Sequence, residues 1–323
     1  MTPIFSSIIG HTAQKEYLGR VIQKETLAHA YCFSGPKHVG KRAVVEEFVR
    51  EALGVDLAGT PDSLKKRGIE TNPNVTIVKP SEKGSISVED IRILKERLSM
   101  SSFGSGKKVA IIEDADTMTI PAQNALLKTL EEPSGESLII LVASSPELLL
   151  RTILSRTVHI RFTLSQRNEI EKFLLAQGST KELAHELAGL AGGRPGVANA
   201  LINKDLRARF LEDLGEALQF AEGSLASRFA FIERIVKDKE RTSDDLEKTI
   251  DAIRQVLHDC ALASLGATDF STLKAEEARV ARIVQMKPVG VWAKALRTLG
   301  EAEYAMRANV NAQLALEHFA LAL

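Results

Sequence analysis

The sequence predicts an α/β domain with a mostly parallel sheet, followed by a half that is helical throughout. Three observations indicate this fold class. Apolar, β-prone runs alternate with amphipathic helices up to about residue 162. A Gly-x-x-x-x-Gly-Lys loop lies between a strand and a helix. After Phe162 the strand signals stop, and the rest of the chain has helical periodicity.

Five segments of the first part are predicted strands. The runs near residues 110 and 140 are continuously apolar, which is typical of strands buried on both faces of a parallel sheet. Helical period follows the loop over 41–53, and Ser87 with Asp90 forms the capping-box pattern that begins another helix. The predicted strands are 30–34, 74–78, 108–112, 138–142 and 158–162.

The second part divides by its helix breakers. Residues 165–176 and 181–190 predict two helices, and Pro195 in the first turn of a third closes a small helical unit. From about residue 205 the pattern is amphipathic helix to the end. We therefore expect three domains, over 1–162, 163–204 and 205–323. The expected breaks in the last domain are near Gly223, Thr242, Gly266 and Pro288.

Composition and charge narrow the function classes. The chain has 323 residues, with 42 Lys and Arg against 42 Asp and Glu, so its formal net charge is zero. Any contact with nucleic acid should then be local or shared with other chains, since one large basic face would give a basic protein. The two cysteines form no Cys-x-x-Cys pair, which excludes the usual structural zinc site. With no signal-peptide pattern and no apolar run of membrane length, we expect a cytoplasmic location.

The glycine-rich loop is a candidate phosphate site. Backbone N–H groups of such a loop and the following helix N-terminus attract phosphate, and Lys41 adds a charge near the β- and γ-phosphates. The next residue in this motif is normally Ser or Thr, whose hydroxyl holds Mg²⁺, but Arg42 cannot ligate a metal. The alternative is a glycine-rich turn with a chance lysine. The candidate residues are Gly35, Pro36, Lys37, His38, Val39, Gly40, Lys41 and Arg42.

An acidic strand end is the second candidate. Glu113 and Asp114 follow the predicted strand 108–112, at the edge of a parallel sheet where ligands bind. P-loop ATPases use an Asp there for Mg²⁺ and often a Glu to orient water. Because the order is reversed here, the longer Glu113 would sit differently against a metal. A solvated acidic strand end is the alternative.

Two arginines complete the candidate set. Arg156 lies in Ser155-Arg156-Thr157 and could reach the nucleotide of a neighbouring chain as an arginine finger. Arg194 precedes Pro195 at a helix start and could touch a γ-phosphate. A surface arginine is the alternative for both, and the Ser-Arg-Thr triplet taken alone favours that alternative for Arg156.

These motifs together resemble the AAA+ clamp-loader subunits of bacterial DNA polymerase III, of the delta-prime type. Residues 27–31 (LAHAY) lead into the phosphate loop, and residues 124–133 (NALLKTLEEP) are similar to a signature stretch of that family. Ser155-Arg156-Thr157 matches its Ser-Arg-Cys motif with Thr for Cys, and residues 311–317 (NAQLALE) resemble the close of its last domain. The motif order is kept along nearly the whole chain.

The resemblance implies a RecA-like AAA+ core over 1–162, a helical lid over 163–204 and a collar that mediates oligomerisation over 205–323. It implies a hetero-pentamer with gamma/tau and delta subunits that loads the sliding clamp onto primer-template DNA, with Arg156 donated in trans to a neighbour's ATP site. Lys41 and Arg194 keep ATP binding open, while Arg42 and the reversed Glu113-Asp114 pair argue against Mg²⁺ and against hydrolysis by this chain.

Two departures and two alternatives remain. The four-cysteine zinc module common in this family is missing from 54–73, where the sequence has no cysteine. Arg42 favours the delta-prime type over the gamma/tau type, which keeps Ser or Thr at that position. The alternatives are an ATP-hydrolysing gamma/tau-type motor subunit and an AAA+ ATPase of DNA repair or remodelling.

Overall fold

The structure is a computed structural model that describes residues 5, 8–54, 69–81, 84–100, 107–133, 135–238, 240–268, 271–307 and 310–323. The chain divides into two compact units, Met1–Glu169 and Ile170–Leu323. Most of the segment expected to lack the zinc module, residues 55–68, lies outside the described residues.

A five-stranded parallel sheet organises the first unit. Its strand order is β2-β3-β4-β1-β5, and every neighbouring pair is parallel. β4 is buried along its whole length between β3 and β1, which explains why its sequence is apolar at almost every position. The strands are β1 Ala30–Ser34, β2 Val75–Val78, β3 Lys108–Ile112, β4 Ser137–Ala143 and β5 Val158–Arg161.

Helices cover both faces of this sheet. Leu18, Val44 and Phe48 pack on the face that Tyr31 and Phe33 of β1 present. The opposite face, which includes Cys32, is covered by the helices that follow β2, β3 and β4. The result is a three-layer α/β/α unit. Its helices are α1 Thr12–Gln23, α2 Lys41–Ala52, α3 Val88–Ser99, α4 Ile120–Glu131 and α5 Arg151–Leu154.

The local signals account for most of these boundaries. Ser87 and Asp90 form the predicted capping box at the start of α3, with the Ser87 N–H donating to the Asp90 carboxylate at 2.8 Å. All five predicted strands are present. The helix α1 is an addition to the sequence prediction, and its N-cap, His11, has a left-handed φ of 55°.

The second unit consists of helices around one apolar core. The core includes fully buried Trp292 and Phe319, and the rings of Phe220 and Phe319 stack with centroids 5.8 Å apart. The helices from the unit boundary onward are α6 Arg167–Ala176, α7 Lys181–Leu190, α8 Pro195–Ala200, α9 Lys204–Glu222, α10 Leu225–Lys237, α11 Ser243–Ser264, α12 Glu277–Gln285, α13 Val289–Arg307 and α14 Ala312–Ala320.

A buried carboxylate fixes one loop of this unit. Asp259 of α11 has no solvent exposure. It accepts hydrogen bonds from the Ser271 hydroxyl at 2.8 Å, the Thr272 N–H at 2.8 Å and the Leu273 N–H at 2.7 Å. These bonds supply the partners that a buried charge requires.

The predicted breaks near Gly223, Thr242, Gly266 and Pro288 all coincide with helix ends or starts. Helices of the predicted lid and of the predicted collar contribute to the same core from Ile170 onward, and a boundary near residue 204 stays a prediction. In the described part of the chain, no helix is both long enough and apolar enough to cross a membrane.

Candidate functional site

The glycine-rich loop joins β1 to α2 at the carboxyl edge of the sheet. Gly35 has a φ of 139°, and a Cβ there would lie 2.2 Å from the carbonyl oxygen of Phe162. Gly40 has a φ of 102° and is the N-cap of α2, whose first residue is Lys41. Both positions therefore require glycine, for close approach or for backbone conformation. The strand-loop-helix context needed for a phosphate loop is present.

Lys41 lies back against its own loop. Its Nζ donates to the carbonyl oxygens of Gly35 at 2.5 Å and Pro36 at 2.8 Å, and the residue is 7% exposed. Burial lowers the pKa of Lys41 to about 8, while the charges of Asp116 and Asp114 oppose that shift. The ammonium is thus a buried cation close to two carboxylates, and a bound anion would stabilise it further.

Arg42 is held by three carboxylates that come from three different elements. Its Nη1 pairs with Glu113, which directly follows β3. Its Nε donates to Glu46 of α2 at 2.7 Å, and its Nη2 donates to Glu70 at 3.0 Å. Glu70 lies in the 3-10 turn Ile69–Thr71, and Lys79 also contacts its carboxylate, at 3.2 Å. The sequence places Arg42 and Glu113 in separate motifs, and the structure brings them into contact.

The acids after β3 have separate surroundings. Asp114 has a left-handed φ of 44° and begins a short 3-10 turn, Ala115–Thr117. Asp116, which is 7% exposed, accepts hydrogen bonds from the backbone N–H groups of Ser144 at 3.2 Å and Ser145 at 3.0 Å. It therefore ties the end of β3 to the end of β4. Among the described residues, no group of three or more His, Cys, Asp or Glu side chains is arranged to hold a metal ion.

Arg156 is displayed at a different place in the first unit. It follows α5, and its Nη1 donates to the carbonyl oxygen of Thr152 at 3.0 Å. Its Nη2 pairs with the Glu131 carboxylate at the end of α4, at 2.7 Å, with 36% of the Arg156 side chain exposed. A guanidinium held by one exposed acid, one carbonyl and the Ser155 hydroxyl at 3.5 Å remains accessible from solvent.

Arg194 belongs to the second unit. It is the N-cap residue of α8, and its Nη1 lies 3.8 Å from the Asp251 carboxylate. Burial lowers the pKa of its guanidinium. Its contact with a phosphate stays a prediction.

Several residues of the site carried no motif signal. His11 contacts the phosphate loop through its Nε2, 2.9 Å from the Val39 carbonyl oxygen. Gln123 of α4 is buried, donates to the Met118 and Leu148 carbonyls, and accepts from the Leu150 N–H at 2.7 Å. Glu46 follows Arg42 by four residues in the predicted helix, a spacing at which opposite charges pair, whereas Glu70 could not be connected to Arg42 from sequence. Only Glu131 lay in a stretch that the sequence singled out.

The chain is similar to known proteins of one kind. The family model described as DNA polymerase III, delta subunit, matches residues 10–166. The DNA polymerase III subunit delta' of Bacillus subtilis is 28% identical over 319 residues, which cover 94% of this chain and 92% of the relative. The chain is similar to delta-prime subunits along nearly its whole length. The predicted family resemblance is thereby confirmed.

Another delta-prime relative, from Pseudomonas aeruginosa, is 32% identical over 188 residues, but that match spans only 57% of its length and 56% of this chain. Among solved structures, a DNA polymerase III gamma subunit-related protein of Thermotoga maritima aligns over 95% of this chain and 97% of its own, with 21% identity and a TM-score of 0.44. The α/β assignment of this chain rests on its strand order and register.

Proposed function

We propose that this chain is a clamp-loader subunit of DNA polymerase III that donates Arg156 to the ATP site of a neighbouring subunit. In this role it helps place the sliding clamp on primer-template DNA. The position of Arg156 carries the proposal. Its guanidinium is accessible at the end of α5, and it matches the arginine of the family's Ser-Arg-Cys motif. A guanidinium at that position can stabilise the charge of a transferring phosphoryl group.

The proposed assembly is a cytoplasmic hetero-pentamer with gamma/tau and delta subunits, held mainly by the helices of residues 205–323. Relatives named subunit tau, such as that of Bacillus subtilis, are 27% identical over 162 residues, which supports a shared core among the partners. Neutral net charge fits a subunit that shares the DNA backbone with other chains rather than gripping it alone. The clamp would be contacted indirectly.

We further propose that the chain retains a site for ATP and hydrolyses it weakly or not at all. Gly35, Gly40 and Lys41 have the backbone and the charge that phosphates require. The residues do not fit Mg²⁺, because Arg42 replaces the hydroxyl ligand and its guanidinium pairs with Glu113. Phosphoryl transfer depends on such a cation to neutralise developing charge.

The test is clamp loading by the reconstituted complex carrying Arg156→Ala. An arginine finger contributes about 10³- to 10⁵-fold at its own ATP site. We therefore expect at least a tenfold loss of clamp loading onto primed DNA, with assembly unchanged by size-exclusion chromatography. Arg151→Ala is the matched control, since Arg151 is an exposed arginine one turn earlier in α5. Equal loading rates for the two variants would contradict the proposal.

A second arm separates a stator-like subunit from an ATP-hydrolysing motor subunit of the gamma/tau type. Lys41→Ala removes the charge that a hydrolytic site needs. For a stator-like subunit, ATP turnover by the complex should fall less than twofold, because hydrolysis occurs at other subunits. A loss of ATP turnover as large as the one that Arg156→Ala causes would favour an ATP-hydrolysing motor subunit.

A further inference from the structure

The contacts of Arg42 resemble those of a bound cation more than those of a surface arginine. Each of its three nitrogens reaches a different carboxylate: Nη1 reaches Glu113, Nε reaches Glu46 at 2.7 Å and Nη2 reaches Glu70 at 3.0 Å. These acids come from the end of β3, from α2 and from the turn Ile69–Thr71. A single guanidinium thus connects three elements around the phosphate loop.

A divalent cation and a guanidinium compete for the same oxygens. Mg²⁺ and Mn²⁺ take carboxylate oxygens at short distances, and arginine donates to the same lone pairs through a planar fork of five N–H groups. Arginine stays protonated in proteins, so its charge does not leave at any physiological pH. A metal ion at Glu113 would also be repelled by the adjacent guanidinium.

The formal charges show how far the protein neutralises this cluster by itself. Lys79 adds a second cation, with its Nζ 3.2 Å from Glu70 and 3.9 Å from Glu113. Two cations therefore face three carboxylates, which leaves one formal negative charge. Without Arg42 the same cluster would carry two formal negative charges, on acids that all lie around the position of its guanidinium.

We propose that the guanidinium of Arg42 takes the place of a divalent cation beside the phosphate loop, so that Glu46, Glu70 and Glu113 are held by the protein and bind no metal. A nucleotide on this loop would then meet Lys41 and backbone N–H groups instead of a metal ion. This role of Arg42 belongs to the isolated chain and does not depend on clamp loading, although it extends the proposed metal-free ATP site.

The test measures Mn²⁺ binding to the full chain. The electron paramagnetic resonance signal of free Mn²⁺ reports how much of the ion stays unbound. Arg42→Thr restores the hydroxyl residue usual in metal-binding phosphate loops and releases the three acids. We expect it to bind one Mn²⁺ at least tenfold more tightly than wild type. Adding Glu113→Gln to this variant should abolish the gained site.

Arg50→Thr is the matched control, because Arg50 lies on the same helix and pairs with Glu47 at 2.5 Å. It should bind Mn²⁺ as wild type does. Arg42→Gln, which removes the charge but keeps hydrogen-bonding capacity, replaces Arg42→Thr if the latter does not fold by circular dichroism. The proposal is overturned if wild type binds Mn²⁺ as tightly as the Arg42 variants, or if those variants gain no more than Arg50→Thr.

Discussion

Replacing Lys41 with methionine should change how the stability of the first unit depends on pH. Lys41 is 7% exposed, and burial lowers its pKa from the ordinary value of 10.5 to about 8. Folding therefore disfavours the ammonium form. Methionine has a similar length and no charge, so Lys41→Met removes that penalty while it also removes the hydrogen bonds to Gly35 and Pro36.

The free energy of unfolding changes with pH because the folded and unfolded chains bind different numbers of protons. Between pH 8 and pH 10.5 the unfolded chain keeps the Lys41 proton and the folded chain has lost it, so the free energy of unfolding rises with pH. One pKa unit corresponds to about 1.36 kcal/mol, and the difference of about 2.5 units sets a ceiling near 3 kcal/mol. Between pH 7 and pH 9.5 wild type should gain about 2 kcal/mol that Lys41→Met does not.

Urea unfolding of the full chain measures this difference. Far-UV circular dichroism reports both units, whereas tryptophan fluorescence reports the second unit alone, because the only tryptophan is Trp292. The pH-dependent difference should appear in the first signal and not in the second. Lys128→Met, at an exposed position of α4, is the control and should behave as wild type. Parallel pH profiles for wild type and Lys41→Met would refute the reasoning.

The Lys41 ammonium also predicts how nucleotide affinity depends on pH. Affinity should fall as pH rises through about 8, because the ammonium is the form that binds phosphate. Fluorescent ATP titrations at pH 7 and pH 9 check this. Glu131→Gln should cost no more than about 1 kcal/mol of stability and match Glu132→Gln, since the pair with Arg156 is exposed. A larger cost would mean that Arg156 is held in place and unavailable to a partner. Asp259→Ala should cost about 3 kcal/mol in urea unfolding followed by Trp292 fluorescence, because buried N–H groups lose their acceptor; a loss below about 1 kcal/mol would contradict this.

Much of the first unit was predictable because its signals are local. Continuous apolar runs identified β3 and β4, and the glycine-lysine spacing located the phosphate loop within a residue of its helix start. A capping box needs only Ser87 and Asp90, three residues apart. Each of these patterns is written within one segment, so it needs no knowledge of what packs against it.

Two of the three partners of Arg42 could not be predicted, for the opposite reason, although Glu46 lies at the helical i,i+4 spacing. Glu70 is 28 residues away and Glu113 is 71 residues away along the chain, and neither spacing has a helical or strand period. Glu113 follows β3 and the loop before Arg42 follows β1, and the parallel order β2-β3-β4-β1-β5 brings these two strand ends to one edge. Glu70 comes from the turn that precedes β2. The sequence identified Arg42 as unable to bind metal but could not indicate that its guanidinium pairs with Glu70 and Glu113.

The ion pairs of Arg42 change the interpretation of this departure from the common phosphate-loop motif. An arginine in place of a hydroxyl residue could simply ruin a site, leaving Glu113 as an uncompensated acid at the sheet edge. Here the longer side chain of Glu113 forms an ion pair with the guanidinium of Arg42. Glu46 and Glu70 bind the same guanidinium. Two departures that each look like decay are therefore complementary. A core stabilised in this way keeps its shape without a metal, which suits a subunit whose proposed contribution is an arginine presented at its surface.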